Sequence, residues 1–233
     1  MIPWGGQLGA QLETSGAEKL EHLIIDGDTE AGATTNINSI GGTPGGTELY
    51  LVFDGFRKSA LVTTTANSRS SSGSLVDTDF LAVLKLMGPA GTNAIDKTKV
   101  GFILDLNVGW KVLELASVKT RDVFTNATIE NGTLTGIWGY PVYVSAQKHK
   151  LSTTNPRKAN TAGKVDLTTQ ANNTTGAFLA VRWDQWLLGY KRRMTMKIQD
   201  IPDSDASQIV AIARIGLAQR DTEAVAEGYN VGV

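Results

Sequence analysis

Apolar positions recur at helical spacing near the start of the chain. Leu8, Leu12, Leu20, Leu23 and Ile24 fall along one stripe, with Glu13, Glu18, Lys19 and Glu21 on the other side. The pattern predicts a helix over residues 7–25, stopped by the turn formers Asp26-Gly27-Asp28. Residues 29–47, rich in Gly, Thr and Asn, read as a loop. A second helix is expected from Glu48 to about Val62, with Leu49, Val52, Phe53, Phe56 and Ala60 inward. ANSRSSSGS reads as a polar loop, and a third helix over Asp79–Met87 ends at Gly88-Pro89.

Further on, GFILDL (101–106) has the length and apolarity of a buried strand, and Asn107 opens a short helix through Ala116. Residues 119–134 are polar and turn-rich; PVYVSA (141–146) is again a strand. The stretch 147–176 is mostly Thr, Asn, Lys and Gly and reads as exposed loop, with one short strand at 164–167. Phe178–Val181 is a strand. From Tyr190 the chain alternates, with Tyr190, Met194, Met196 and Ile198 on one face and Lys191, Arg193, Thr195, Lys197 and Gln199 on the other. Arg192 breaks the apolar face of this half-buried antiparallel strand. Ile201–Asp205 is expected to turn the chain into a second long strand, Gln208–Ala218. Two strands are not stable alone, and the first helix is their natural support. The whole is an α+β chain.

Composition narrows the function classes. The 233 residues suffice for a sizeable core, and 41% hydrophobic with 19% charged residues is ordinary for a folded domain. A net charge of −1 does not suit a protein that binds nucleic acid through its whole surface. The absence of cysteine excludes disulfides, thiolate metal sites and a cysteine nucleophile. No apolar run reaches the roughly 20 residues that span a bilayer, and the N-terminus does not read as a signal peptide. No membrane partner is expected.

Candidate chemistry is sparse. His22 and His149 are the only histidines, and no carboxylates stand at matching metal-ligand spacing. His22 reads as a surface or half-buried side chain. There is no Gly-x-Ser-x-Gly elbow, and the run Ser68–Ser74 is too repetitive for a positioned nucleophile. The cluster Gly41–Gly46 lacks the Gly-Lys-Ser/Thr of a phosphate loop. Asp26–Ile37 fails the calcium-loop pattern at its sixth and twelfth positions, Ala31 and Ile37. Neither catalytic residues nor cofactor or metal ligands are assigned. Lys191, Arg193 and Lys197 make a basic stripe that suits an acidic neighbour, DNA or plain solvent.

Three segments in order resemble the Hong Kong 97-type major capsid proteins of tailed phages. EKLEHLIIDGDTEAG (18–32) looks like the end of that family's spine helix. VGFILDLNVGWKVLELAS (100–117), with NATIENGTLTGIWGYPVYVSAQ (126–147), is similar to its strand, helix, variable loop and Gly-x-Pro-Val strand, here Gly139-Tyr140-Pro141-Val142. RWDQWLLGYKRRMTMKIQ (182–199) and IVAIARIGLAQRDTEAVAEGYNV (209–231) resemble its closing strands.

The resemblance implies the Hong Kong 97-like fold with peripheral and axial domains. Residues 1–46 and 183–218 would form the peripheral domain, and 47–182 with 219–233 the axial domain. It implies a non-enzymatic subunit that self-assembles into pentamers and hexamers of an icosahedral phage or prophage shell around double-stranded DNA. Such a protein resides in the virion, and in the host cytoplasm during assembly. The loop 119–134 would lie at the capsomer centre, bringing Lys119, Arg121, Asp122, Asn126, Glu130 and Asn131 there. The stripe Lys191, Arg193, Lys197 would face inward or a neighbouring subunit, with non-specific DNA contact. The family's N-terminal arm, extended loop and early spine helix have no counterpart here, so a truncated chain, monomeric by itself, is a further expectation. Other readings are an encapsulin-like nanocompartment shell, a small serine hydrolase, and a decoration module that binds a preformed lattice.

Overall fold

The structure is a computed structural model that describes residues 4–32, 35–115, 129–130, 133–134, 136–201 and 206–233. Among them, four α-helices, α1 (Trp4–Asp26), α2 (Phe56–Lys58), α3 (Asp77–Leu84) and α4 (Leu106–Glu114), accompany the strands. The strands are β1 (Ser68–Ser70), β2 (Val100–Asp105), β3 (Ile129–Glu130), β4 (Thr133–Leu134), β5 (Gly136–Ile137), β6 (Tyr140–Ser145), β7 (Thr175–Arg182), β8 (Trp186–Ile201), β9 (Ala206–Gln219) and β10 (Val225–Gly232). The α+β expectation holds.

A six-stranded mixed sheet in the order β1-β10-β7-β2-β6-β5 forms the body. Its centre, β2 and β7, is buried almost throughout, as expected where both faces are covered. Alternation along these strands divides the core in two. Phe102, Leu104, Phe178 and Ala180 point to one side, where Phe80 and Val83 of α3 and Val108 and Val112 of α4 meet them. Ile103, Leu179 and Val181 point to the other, against Ile25 of α1 and Phe56 and Ala60. Phe80 anchors the first layer, with its ring centroid 4.5 Å from that of Phe178 and 5.2 Å from that of Phe102. Asp105 ends β2 and caps α4: its Oδ1 accepts from Val108 N at 2.7 Å and its Oδ2 from Ala177 N at 2.6 Å.

The helix expected over 48–62 is instead a short 3-10 turn at Leu49–Leu51, then α2 and a wider helical turn at Ser59–Thr63. Leu49 and Val52 are exposed; only Phe53, Phe56 and Ala60 are inward. The break falls where the chain crosses the end of α1. Gly55 N donates to Gly27 O at 2.8 Å, and a Cβ on Gly27 would lie 2.3 Å from Phe53 O. Two glycines are needed for that approach. The ANSRSSSGS segment is not all loop, since Ser68–Ser70 pairs with β10 in parallel.

Outside the sheet, β8 and β9 form a long antiparallel ribbon. Its base is anchored by Trp186, whose ring lies 4.6 Å from Phe56, and by Gln219, whose Oε1 accepts from Ser59 Oγ at 2.6 Å. Helix α1 supports it further along: a Cβ on Gly16 would meet Met194 Sδ at 3.1 Å. The expected half-buried apolar face does not hold at Tyr190 and Met194, which are 51% and 41% exposed. Ile201 pairs with Ala206, and the rest of the segment expected to turn the chain lies outside the described residues.

Candidate functional site

The residues proposed for a central loop divide unequally. Lys119, Arg121, Asp122, Asn126 and Asn131 lie outside the described residues; Glu130 belongs to β3, which pairs with β4. The basic residues Lys191, Arg193 and Lys197 are all exposed on β8. They do not form an unbroken stripe. Two register shifts, between Tyr190 and Arg192 and between Arg192 and Thr195, interrupt the alternation. Between those shifts Arg192 stands directly across from Arg214 of β9.

The stretch 147–176, expected to be exposed, instead closes over a buried ionic cluster. Lys148 and His149 are 0% and 1% exposed, and Asp166 and Asn173 are also buried. At the centre Asp26, the last residue of α1, accepts from Arg57 Nη1 at 2.7 Å and from His149 N at 2.9 Å. Arg57 also donates to Gly163 O at 2.5 Å and Asn38 Oδ1 at 3.2 Å, with its Nε 3.6 Å from Glu227 Oε1. Lys148 Nζ donates to the same Glu227 oxygen at 2.7 Å. Beside them Lys58 Nζ donates to Asp28 Oδ1 at 2.7 Å. His22 is buried, not a surface or half-buried side chain, with its Nδ1 3.1 Å from Asp26 Oδ2 and 3.2 Å from Gln147 O.

The electrostatics follow from burial and pairing. Burial opposes ionisation of Asp26, yet the Arg57 charge and His22 outweigh it and hold the carboxyl well below the usual range. Burial acts against the Arg57 charge too, but Asp26 and Glu227 raise its pKa. For Lys148 and Glu227 burial prevails, lowering the amine and raising the carboxyl, with each partner's charge resisting. Burial and the Arg57 charge lower His149 to about 4, so its ring is neutral near pH 7. This cluster ties α1, α2, β10 and the 147–149 segment together. The sequence pattern does not reveal it, because its partners lie far apart along the chain and Asp26-Gly27-Asp28 carries a turn signature that says nothing of burial.

The cluster is closed to solvent, and neither histidine ring makes a hydrogen bond to a serine among the described residues. No group of three or more His, Asp or Glu that could hold a metal occurs among the described residues. No helix among them is long and apolar enough to cross a membrane. A cavity of about 570 Å³ lies between α1 and the sheet, lined by Leu20, Ile24, Phe56, Ile103, Tyr143 and Trp183 among others. Of these, Trp183 and Tyr143 meet edge to face, with ring centroids 5.7 Å apart.

Comparison with solved structures identifies the class of fold. A chain of the satellite phage P4 procapsid that includes the size determination (Sid) protein matches 100% of this chain and 65% of its own, at TM-score 0.60 and 10% identity. A chain from the capsid of an empty GTA particle matches 98% and 66%, at TM-score 0.59 and 12% identity. A chain of the holo-SrpI encapsulin complex from Synechococcus elongatus PCC 7942 matches 100% and 67%, at TM-score 0.57 and 14% identity. The chain thus has the Hong Kong 97-like capsid fold, and spans about two thirds of the length of these subunits. No protein-family model and no curated protein matches it.

Proposed function

We propose that this chain is a major capsid protein, the repeating subunit of an icosahedral phage or prophage shell around double-stranded DNA. The observation that carries the reading is the match of essentially the whole chain to capsid and procapsid chains. A shell subunit works through repeated modest contacts multiplied by closed symmetry. The closed interior and the exposed ribbon are consistent with such a role and do not suggest turnover.

In this reading the protein is not an enzyme, and its partners are copies of itself in pentamers and hexamers. It would occupy the virion, after assembly in the host cytoplasm. Helix α1 and the β8–β9 ribbon, which lie outside the sheet, support a peripheral domain of residues 1–46 and 183–218. The sheet and its helices support an axial domain of 47–182 and 219–233. Lys119, Arg121, Asp122, Asn126, Glu130 and Asn131 would surround the capsomer centre. Lys191, Arg193 and Lys197 would face a neighbour or the packaged DNA.

An encapsulin shell is the second reading, favoured by the match to the SrpI complex. Sedimentation velocity over a range of concentrations tests the shared claim. Species of five or six subunits, or larger, are expected. A full-length gene product that stays monomeric at every concentration would overturn both shell readings. Nuclease-protected DNA in the particles separates the phage shell from the encapsulin.

A further inference from the structure

The β8–β9 ribbon carries an electrostatic conflict that no acid among the described residues resolves. Arg192 and Arg214 stand directly opposite one another, and like charges at opposed positions destabilise a strand pair. Both are exposed, and neither forms an ion pair with an acid among the described residues. Lys191, Arg193 and Lys197, also exposed, add to the positive charge of the ribbon. The two ribbon strands hold five basic residues and one acid, Asp200. Two facing guanidiniums form a ready fork for an oxyanion, because arginine binds carboxylate or phosphate through paired N–H groups.

The surroundings favour a carboxylate on a protein over a phosphate backbone. Leu187 is 55% exposed, Tyr190 51% and Met194 41%, interleaved with the basic positions. Aromatic, Met and Arg side chains together are characteristic of protein interfaces, whereas phosphate binding needs positive charge alone. The rest of the chain supplies the complement. Of its 22 Lys and Arg and 23 Asp and Glu, the ribbon strands hold five and one, which leaves 17 bases against 22 acids elsewhere. A basic arm on an acidic body is complementary to another copy of itself.

We infer that the ribbon is a docking arm in which the Arg192–Arg214 pair receives a carboxylate from the body of a second copy of this chain. The inference rests on the shell reading and names the contact through which subunits join. Sedimentation velocity on wild type, R192E/R214E, R192Q/R214Q and the off-ribbon control K19E/K85E tests it, with circular dichroism melts confirming that each variant folds. Self-association of wild type should weaken with salt. It should fall about tenfold or more in R192E/R214E, less in R192Q/R214Q, and hold in the control.

Association of a folded R192E/R214E equal to wild type would overturn the docking arm and leave the shell reading intact. So would a ribbon whose reversal abolishes binding of a short duplex DNA while self-association is unchanged, since the partner would then be nucleic acid. Equal losses in R192E/R214E and K19E/K85E would reduce the effect to net charge and overturn the inference. A full-length wild type that never associates would overturn the shell reading, and the docking arm with it.

Discussion

The carboxylate of Asp26, at the end of α1, lies 2.7 Å from the Arg57 guanidinium, and both side chains are fully buried. This contact joins the long helix to the sheet body through Glu227, which Arg57 and Lys148 share. Removing one member strands the others in a medium that cannot solvate them. Arg57→Ala is expected to cost about 3–5 kcal/mol, the scale for breaking a buried ion pair. Arg57→Lys should cost less, because it keeps the charge while losing part of the donor fork. Urea unfolding midpoints of the two variants provide the comparison.

Acid should weaken the fold in a defined window. His149 is held at about 4, below its unfolded value of about 6.5, so the unfolded chain takes up the proton first. Stability from this group is complete above about pH 6.5 and is lost as pH falls towards 4, on the order of 3 kcal/mol in all. Asp26, depressed further, extends the loss below its unfolded range. Glu227, raised by burial, acts in the opposite sense and offsets part of it. His149→Asn, which tolerates the φ of 56° at this position, should flatten the slope between pH 6.5 and 4 in thermal melts.

The crossing of α1 by residues 53–55 leaves no room for a side chain at Gly27 or Gly55. A Cβ on Gly55 would lie 2.6 Å from Ile24 O and 2.8 Å from Gly27 N. Gly55→Ala must therefore push the two backbones apart, and a loss of about 1–3 kcal/mol is expected. Gly46→Ala meets nothing within 4 Å and should leave the melting temperature near that of wild type.

Phe80 is wholly buried and touches the rings of Phe102 and Phe178. Phe80→Ala should cost about 3–5 kcal/mol through lost transfer energy and the cavity left behind. Exposed Trp110→Ala, at 64% exposure in the same chain, provides the contrast and should barely move the unfolding midpoint.

Strong local periodicity makes α1, β2, α4, β6, β7 and the two ribbon strands legible in the sequence alone. The first of them couples a single apolar pattern to a clear stop, at Asp26-Gly27-Asp28. The segment 48–62 has helical spacing too, yet its course is set by Gly55 meeting Gly27, a contact between distant residues. Residues 147–176 look exposed by composition, but Lys148 and His149 find partners at Glu227 and Asp26. The ribbon's basic residues are visible in the sequence. The opposition of Arg192 and Arg214 is not, since it depends on two register shifts that simple alternation conceals.

Electron cryo-microscopy of the purified protein tests the central claim most directly. Rings with five- or six-fold symmetry, or closed shells whose subunits show α1 beneath the β8–β9 ribbon, are the predicted result. A field of isolated single subunits of the full-length gene product, unchanged as the concentration rises, would contradict the account of this chain as part of a shell-building subunit.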